Sequence, residues 1–309
     1  MDISVIIPVY NEEKSIKQLF LELKKTMSSL KKKYEIIFIN DGSTDSSLSI
    51  LKQVKDKHTK IIDFRKNFGQ SAAMKAGFDY AKGDIIIAMD ADLQNNPKDI
   101  PKLIRKMEEG YDVATGWRKH RKDSLSKKIP SMIANLLHKR LTGLNIHDSG
   151  CSLKAYKKEC LKGIELYGET HRYIPALIAQ KGYKIGEVEV DHRPRKYGRT
   201  KYGTARLIKG YLDLLGVEFW MRYAARPLHV FGGLGVLFSG IGLILGITLG
   251  VLEIMGRIRS RQSSLPLLVM FLFIVGIQFL VLGILGDITI KMYYSDKRHK
   301  TYQIKEIIR

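Results

Sequence analysis

Two uncharged apolar runs in the C-terminal third restrict the fold before any motif is considered. Residues 230–252 and 265–285 hold 23 and 21 consecutive positions without one Asp, Glu, Lys or Arg. At a rise of about 1.5 Å per residue, either run crosses a hydrocarbon layer of about 30 Å. Two such runs in succession are foreign to a soluble core, so a transmembrane helix pair is expected within 227–290. Gly232, Gly233, Gly235, Gly240, Gly242, Gly246 and Gly250 allow close helix packing, and Gln278 is expected to donate a hydrogen bond between the helices. Arg257, Arg259 and Arg261 fall in the connecting loop. The outer flanks hold more charge: Arg206, Lys209, Arg222 and Arg226 before the first run, and Lys291, Lys297, Arg298, Lys300 and Lys305 after the second. The positive-inside rule therefore places both termini in the cytoplasm.

The chain before these runs alternates two periods. Apolar stretches suggest strands over 3–9, 34–40, 61–64, 84–89 and 112–115, with helical patterns over 13–30, 45–57, 71–81 and 97–109 between them. That alternation predicts an α/β domain with a largely parallel sheet covered on both faces. No G-x-G-x-x-G follows the first strand and no Walker lysine loop occurs, which argues against dinucleotide redox chemistry and P-loop ATP hydrolysis.

The segments that follow the strands carry polar, turn-forming sequence. They are Pro8-Val9-Tyr10-Asn11-Glu12, Asn40-Asp41-Gly42-Ser43-Thr44-Asp45, Arg65-Lys66-Asn67-Phe68-Gly69-Gln70, and Asp90-Ala91-Asp92-Leu93-Gln94-Asn95-Asn96-Pro97. In an open α/β sheet, ligands bind outside the carboxyl ends of the strands. Asp41 suits a base or ribose, with Gly42 admitting a ligand close to the backbone. Asp45 suits the N-cap of the next helix equally well. Arg65 and Lys66 serve either a phosphate or a solvated face. Asp90 and Asp92, with the amide of Gln94, offer hard oxygen ligands to Mg²⁺ or Mn²⁺, ions that also grip phosphate oxygens. By spacing alone, the same residues also read as a strand end that caps the helix from Pro97.

Lys and Arg number 52 against 31 Asp and Glu, a formal net charge of +21 over 309 residues. Such an excess calls for an anionic partner: a phosphorylated substrate, nucleic acid or anionic lipid. Basic residues gather beside the apolar runs and no nucleic-acid motif occurs, so the lipid bilayer and phosphate are favoured and nucleic acid is not expected. Residues 124–142 combine an apolar helical face with basic residues, which suits either a packed core or a helix on anionic headgroups. Residues 204–226 read as an amphipathic interfacial segment leading into the first span. Two cysteines, Cys151 and Cys160, are too few for a disulfide framework, and no signal peptide is evident from Met1 onward, so the first domain is expected in the cytosol.

Taken in order, Pro8 to Glu12, Asn40 to Asp45 and Asp90 to Gln94 resemble the inverting family 2 glycosyltransferases with a GT-A fold. The resemblance continues through Gly116-Trp117-Arg118, Asp148-Ser149-Gly150-Cys151 and Arg195-Lys196-Tyr197-Gly198-Arg199-Thr200-Lys201-Tyr202-Gly203. This set is similar to the polyprenyl-phosphate branch, which includes dolichyl-phosphate mannose synthases and GtrB-type bacterial enzymes. It implies a cytosolic GT-A catalytic domain over 1–203, and Pro8, Tyr10, Glu12, Asp41 and Asp90 as nucleotide-binding residues. Asp90, Asp92 and Gln94 would hold Mg²⁺ or Mn²⁺ and the diphosphate, and Arg118 with Arg199 and Lys201 would face the acceptor phosphate. One departure stands out: Asn95-Asn96 occupies the place of a common proline pair. The Gln-x-x-Arg-Trp element of processive synthases is not found, which points to transfer of a single sugar. The resemblance also implies a homo-oligomer, a tetramer, with the tail 291–309 as a strand exchanged between subunits.

The reaction expected is transfer from a nucleotide-diphospho-sugar, a UDP-sugar favoured over GDP-mannose, to a polyprenyl phosphate. An acceptor phosphate is already anionic, so alignment and charge screening matter more than a general base. Asp148 is the carboxylate expected to act as base or orienter, beside Asp92 and Arg118. A noncatalytic membrane scaffold on the same fold is the rival from another class.

Overall fold

The computed structural model describes residues 1–119, 146–164, 166, 168, 170–194, 196, 227–257, 264–295 and 304–308. By contacts the chain divides into two units, Met1–Val217 with Lys300–Arg309, and Glu218–His299.

In the first unit, strand β1 (Ile3–Val9) is apolar on both faces and buried along nearly its whole length, which only a central strand can satisfy. It pairs in parallel with β2 (Tyr34–Asn40) on one side and β4 (Ile85–Ala88) on the other, and β2 pairs in parallel with β3 (Thr59–Phe64). Beyond β4 the sheet changes sense: β6 (Lys154–Lys157) runs antiparallel between β4 and β5 (Val113–Trp117), and β7 (Ile185–Glu189) is parallel to β5. The tail forms β8 (Ile304–Ile308), antiparallel to β3 at the far edge, on the sheet of its own chain.

The pleat sends alternate side chains to opposite faces. Ile3, Val5, Ile7 and Val9 join the core covered by α1 (Ile16–Ser29), α2 (Ser47–Val54) and α4 (Ile100–Glu108). Ile6, Ile37 and Ile39 enter the other core, beneath α3 (Gln70–Tyr80) and α5 (Ile174–Gln180). The parallel strands β1 to β4 thus deliver four loops to one edge. The expected α/β sheet with both faces covered is present, and the expected strands and helices agree with the observed ones to within a few residues at their ends. Short β6, α5 and β7 were not anticipated.

The second unit contains α6 (Pro227–Ile254) and α7 (Leu265–Ser295). Leu228–Ile254 and Leu265–Thr289 are long and apolar enough to cross a membrane, with mean hydropathies of 2.2 and 2.8. Large apolar side chains such as Val236, Leu237, Ile244, Met270 and Phe271 are exposed. A surface of this kind needs an apolar surrounding. The two helices approach closely where small residues meet: a Cβ on Gly235 would lie 2.7 Å from the Gly276 carbonyl oxygen. Gly242 and Gly246 also face α7, whereas Gly233, Gly240 and Gly250 face open space. Gln278 is exposed, so the expectation that it donates between the helices is corrected. Packing here comes from the glycines and from the stacked rings of Phe238 and Phe279, 5.6 Å apart.

Residues 124–142 and 204–226, expected to be amphipathic, lie outside the described residues.

Candidate active site

The loops after β1 and β2 are tied together. Asn11, at a left-handed φ of 55°, accepts from the Thr44 N–H at 2.8 Å through Oδ1, and its own N–H donates to Ser43 Oγ at 3.0 Å. The Glu12 N–H donates to Ser47 Oγ at 2.8 Å. Helix α2 begins with Ser46 at the cap position, and the Asp45 carboxylate accepts from the N–H groups of Ser47 and Glu13. Asp45 therefore fastens the helix start to the β1 loop. Tyr10 and Glu12 sit half-buried on the same edge, and Pro8 closes toward a cavity described below.

Asp41 is 3% exposed and turned to the loop after β3. Its carboxylate accepts from the Phe68 N–H at 2.7 Å, the Gly69 N–H at 3.0 Å and Asn67 Nδ2 at 3.0 Å. Gly42 follows at φ 64°, where a Cβ would fall 2.3 Å from the Lys66 carbonyl carbon. In this structure it is this backbone that the missing Cβ admits. Gly42→Ala is expected to cost more than the ~1–2 kcal/mol of a left-handed residue, because the clash adds to it. A lower unfolding temperature of the detergent-solubilised protein checks this; an unchanged one would show that the loop yields.

Beyond β4 the chain turns through Leu93 at φ 65°. Asp90 Oδ1 accepts from Gln70 Nε2 at 2.8 Å, and Asp92, 6% exposed, accepts from the Gln94 N–H at 3.1 Å. Gln94 Nε2 lies 3.4 Å from His192 Nε2. The two asparagines that replace prolines have clear work. Asn95 Nδ2 donates to Ser152 Oγ at 2.7 Å, and Asn95 bridges to His192. Asn96 Oδ1 caps the short 3₁₀ helix Pro97–Asp99 through the Lys98 N–H and also accepts from Arg193 at 2.9 Å. The Arg193 N–H donates to the Gln94 carbonyl at 2.9 Å, and its guanidinium pairs with Glu22 at 2.7 Å. The segment after β7 is thus laced onto the Asp92 loop. Burial opposes the Glu22 charge, yet bonds from Gln18 and Arg193 hold its pKa below the usual value.

Arg118, directly after β5, forms a two-pronged pair with Asp148: Nε to Oδ2 at 2.6 Å and Nη2 to Oδ1 at 2.8 Å, while the Arg118 N–H also donates to Oδ2. Their side chains are 13% and 5% exposed. Burial works against the guanidinium charge, but the bonds to Asp148 outweigh it and hold the group more firmly protonated than usual. Glu187 of β7 accepts from the N–H groups of His147 and Asp148, which fixes the carboxylate from behind.

A cavity of about 50 Å³, open to solvent, lies between the ends of β4 and β6 and α3. Gln70, Asp90, Ser149, Lys154, His171 and Arg172 supply its polar wall. Ser71 holds the far side: its hydroxyl donates to the Gly168 carbonyl at 2.7 Å, accepts from the His171 N–H at 3.2 Å, and lies 2.9 Å from His171 Nδ1. Lys154 is 3% exposed, and its ammonium donates to the Ser149 carbonyl at 3.0 Å. Burial, the largest influence, lowers its pKa to about 8 against the opposing pull of Cys151 and Asp148. Lys154, Gln70, His171 and Arg172 were missed from sequence. A lysine inside the run Leu153-Lys154-Ala155-Tyr156 was the available signal, since a cation in an apolar strand demands a reason.

The structure therefore brings Pro8, Asp90, Asp148 and Arg118 to neighbouring strand ends, with Asp92 and Gln94 in the loop beyond. Arg199 and Lys201 lie outside the described residues. Among the described residues no three His, Cys, Asp or Glu side chains gather as a self-sufficient metal cluster.

A family model described as glycosyl transferase family 2 matches residues 4–164. The chain is 39% identical over 315 residues to a dodecaprenyl-phosphate galacturonate synthase of Rhizobium johnstonii, covering 99% of this chain and 93% of that one. It is 34% identical over 310 residues to an undecaprenyl-phosphate 4-deoxy-4-formamido-L-arabinose transferase of Proteus mirabilis, covering 99% and 94%. In fold it resembles glucosyl-3-phosphoglycerate synthase of Mycobacterium tuberculosis, solved with Mn²⁺, UDP and phosphoglyceric acid. The TM-score is 0.57 at 17% identity, over 71% of this chain and 78% of that one.

Proposed function

Because this chain belongs to glycosyl transferase family 2, we propose that it moves one sugar from a nucleotide-diphospho-sugar to a polyprenyl phosphate, with inversion at the anomeric carbon. The observation that carries this reading is the likeness, over 99% of the chain, to two polyprenyl-phosphate sugar transferases. A UDP-sugar is the proposed donor. The names of those relatives direct attention to galacturonate and 4-deoxy-4-formamido-L-arabinose.

The site residues suit the chemistry. Asp90 and Asp92 offer two hard carboxylates, and Gln94, with Nε2 turned to His192, keeps Oε1 as a third oxygen. Mg²⁺ and Mn²⁺ take their remaining ligands from phosphate and water, so this set fits such an ion. Bound there, the ion would stabilise negative charge on the departing diphosphate. The protein's own groups do the aligning. Arg118, locked by Asp148, presents a fixed cation to the acceptor phosphate, with Arg199 and Lys201 proposed beside it. The paired geometry favours Asp148 as the orienter of Arg118 over a role as base. An anionic phosphate oxygen attacks without one.

The lipid substrate explains the apolar helices. Each CH₂ of an isoprenoid drawn into water costs about 0.8 kcal/mol, so the enzyme must come to the bilayer. We propose that α6 and α7 both cross it. The strand β8 belongs to the same sheet as β1 to β7, which supports a hairpin that returns the chain to the cytoplasmic side.

The test incubates detergent-purified protein with Mg²⁺ or Mn²⁺ and a short polyprenyl phosphate. Donors offered in turn are UDP-galacturonate, UDP-glucose, UDP-N-acetylglucosamine, UDP-galactose and GDP-mannose. Lipid-linked sugar from one donor, lost on chelation, is the expected result. Absence of any nucleotide binding would overturn the reading in favour of a scaffold.

A further inference from the structure

Lys154 has a position that the sequence motifs do not explain. It opens β6 opposite Ala88 of β4 and Thr115 of β5. Two residues past Ala88 lies Asp90, and three past Thr115 lies Arg118, so the lysine stands between the two strand ends that carry the site. Its side chain is almost wholly buried, lines the cavity with Asp90, Ser149 and Arg172, and donates to one neutral carbonyl. An ammonium has three protons to donate, and buried lysines are ordinarily paired with an anion. Among the described residues no carboxylate forms an ion pair with it, and Asp148 gives both carboxylate oxygens to Arg118. Among the described residues, the charged and titratable groups around it are Asp148 and Cys151 on the preceding loop, Arg118 after β5, Asp90 after β4, and His171 and Arg172 across the cavity. Cations outnumber anions there, which suits a ligand that arrives with negative charge.

We propose that Lys154 is a donor-anchoring cation whose ammonium meets an anionic oxygen of the sugar nucleotide, from its diphosphate or from a carboxylate on its sugar, in the cavity beside Asp90. This rests on the donor class proposed above. Burial lowers the lysine's pKa, and an anionic oxygen placed against the ammonium would oppose that shift.

Two substitutions separate the charge from the loop support. Lys154→Met removes both; Lys154→Gln drops the charge and keeps a donor for the Ser149 carbonyl. Lys154→Arg restores the charge. With full-length protein in detergent, both uncharged variants are expected to raise the donor KM about tenfold or more, the scale of a charge-assisted hydrogen bond. The KM for polyprenyl phosphate should stay within about twofold, and Lys154→Arg should recover most of the donor affinity. Equilibrium binding of UDP alone tells the two anions apart. Equal loss for UDP and the sugar nucleotide assigns the diphosphate; loss confined to UDP-galacturonate, with UDP and UDP-galactose unaffected, assigns the sugar carboxylate. Wild-type donor KM in Lys154→Gln would make Lys154 a loop support and overturn the inference. Wild-type protein that binds no sugar nucleotide would instead remove the functional reading on which it stands.

Discussion

Asp92→Asn is expected to cut sugar transfer by about 10²–10³-fold while leaving the fold in place, a loss typical of removing one preorganised electrostatic contact. Asn matches Asp in shape, and its Oδ1 can still accept from the Gln94 N–H at the turn. Only the charge disappears. Asp92 is 6% exposed, so water cannot replace that charge where the diphosphate is proposed to bind. The checks are the initial rate of lipid-linked sugar formation and the unfolding temperature. Nucleotide binding should also lose its dependence on Mg²⁺ or Mn²⁺. A variant with more than a tenth of the wild-type rate would remove Asp92 from the proposed ligand set.

Asp148→Ala is expected to give the largest loss of stability, about 3–5 kcal/mol, because it leaves a buried cation without its partner. The pair is two-pronged and hardly exposed, so the discount for solvent that applies to surface ion pairs is small here. Asp148→Asn should fall between, since an amide oxygen still accepts from Arg118. Arg118→Met with Asp148→Leu should recover part of the stability but no transfer. Thermal unfolding of the four proteins checks the energetics. If Asp148→Ala unfolds like the wild type, the pair is not a structural clamp; if the double variant transfers sugar, Arg118 is not needed for the acceptor.

The half of the sheet built from β1 to β4 was legible because its strands are buried on both faces and read as apolar runs between turn residues. The reversal at β6 was not. Four residues beginning with a lysine carry no periodicity, and the antiparallel insertion is set by long-range pairing inside the sheet, Ile85 with Lys157 through Ala88 with Lys154. In the site, Asp90 and Asp92 were visible from their spacing after a strand. The Arg118 pair with Asp148 needed the fold, since 30 positions separate the partners. Asn95 and Asn96 looked like a defect in a familiar motif and prove to be the anchor points for Ser152, Asp191 and Arg193. Side-chain networks that join distant segments leave no local trace.

The edge strand β8 has a consequence for how the protein is made. Translation proceeds from the N-terminus, and 240 positions separate Phe64 from its β8 partner Ile304. At roughly 5–20 residues per second, β3 waits roughly 10–50 s before its covering strand emerges. Both apolar helices leave the ribosome in that interval. Throughout it, β3 offers an unpaired edge that another nascent chain can recruit. Chains stalled or truncated before Ile304 would keep that edge open, and C-terminal fusions would burden the last strand to arrive.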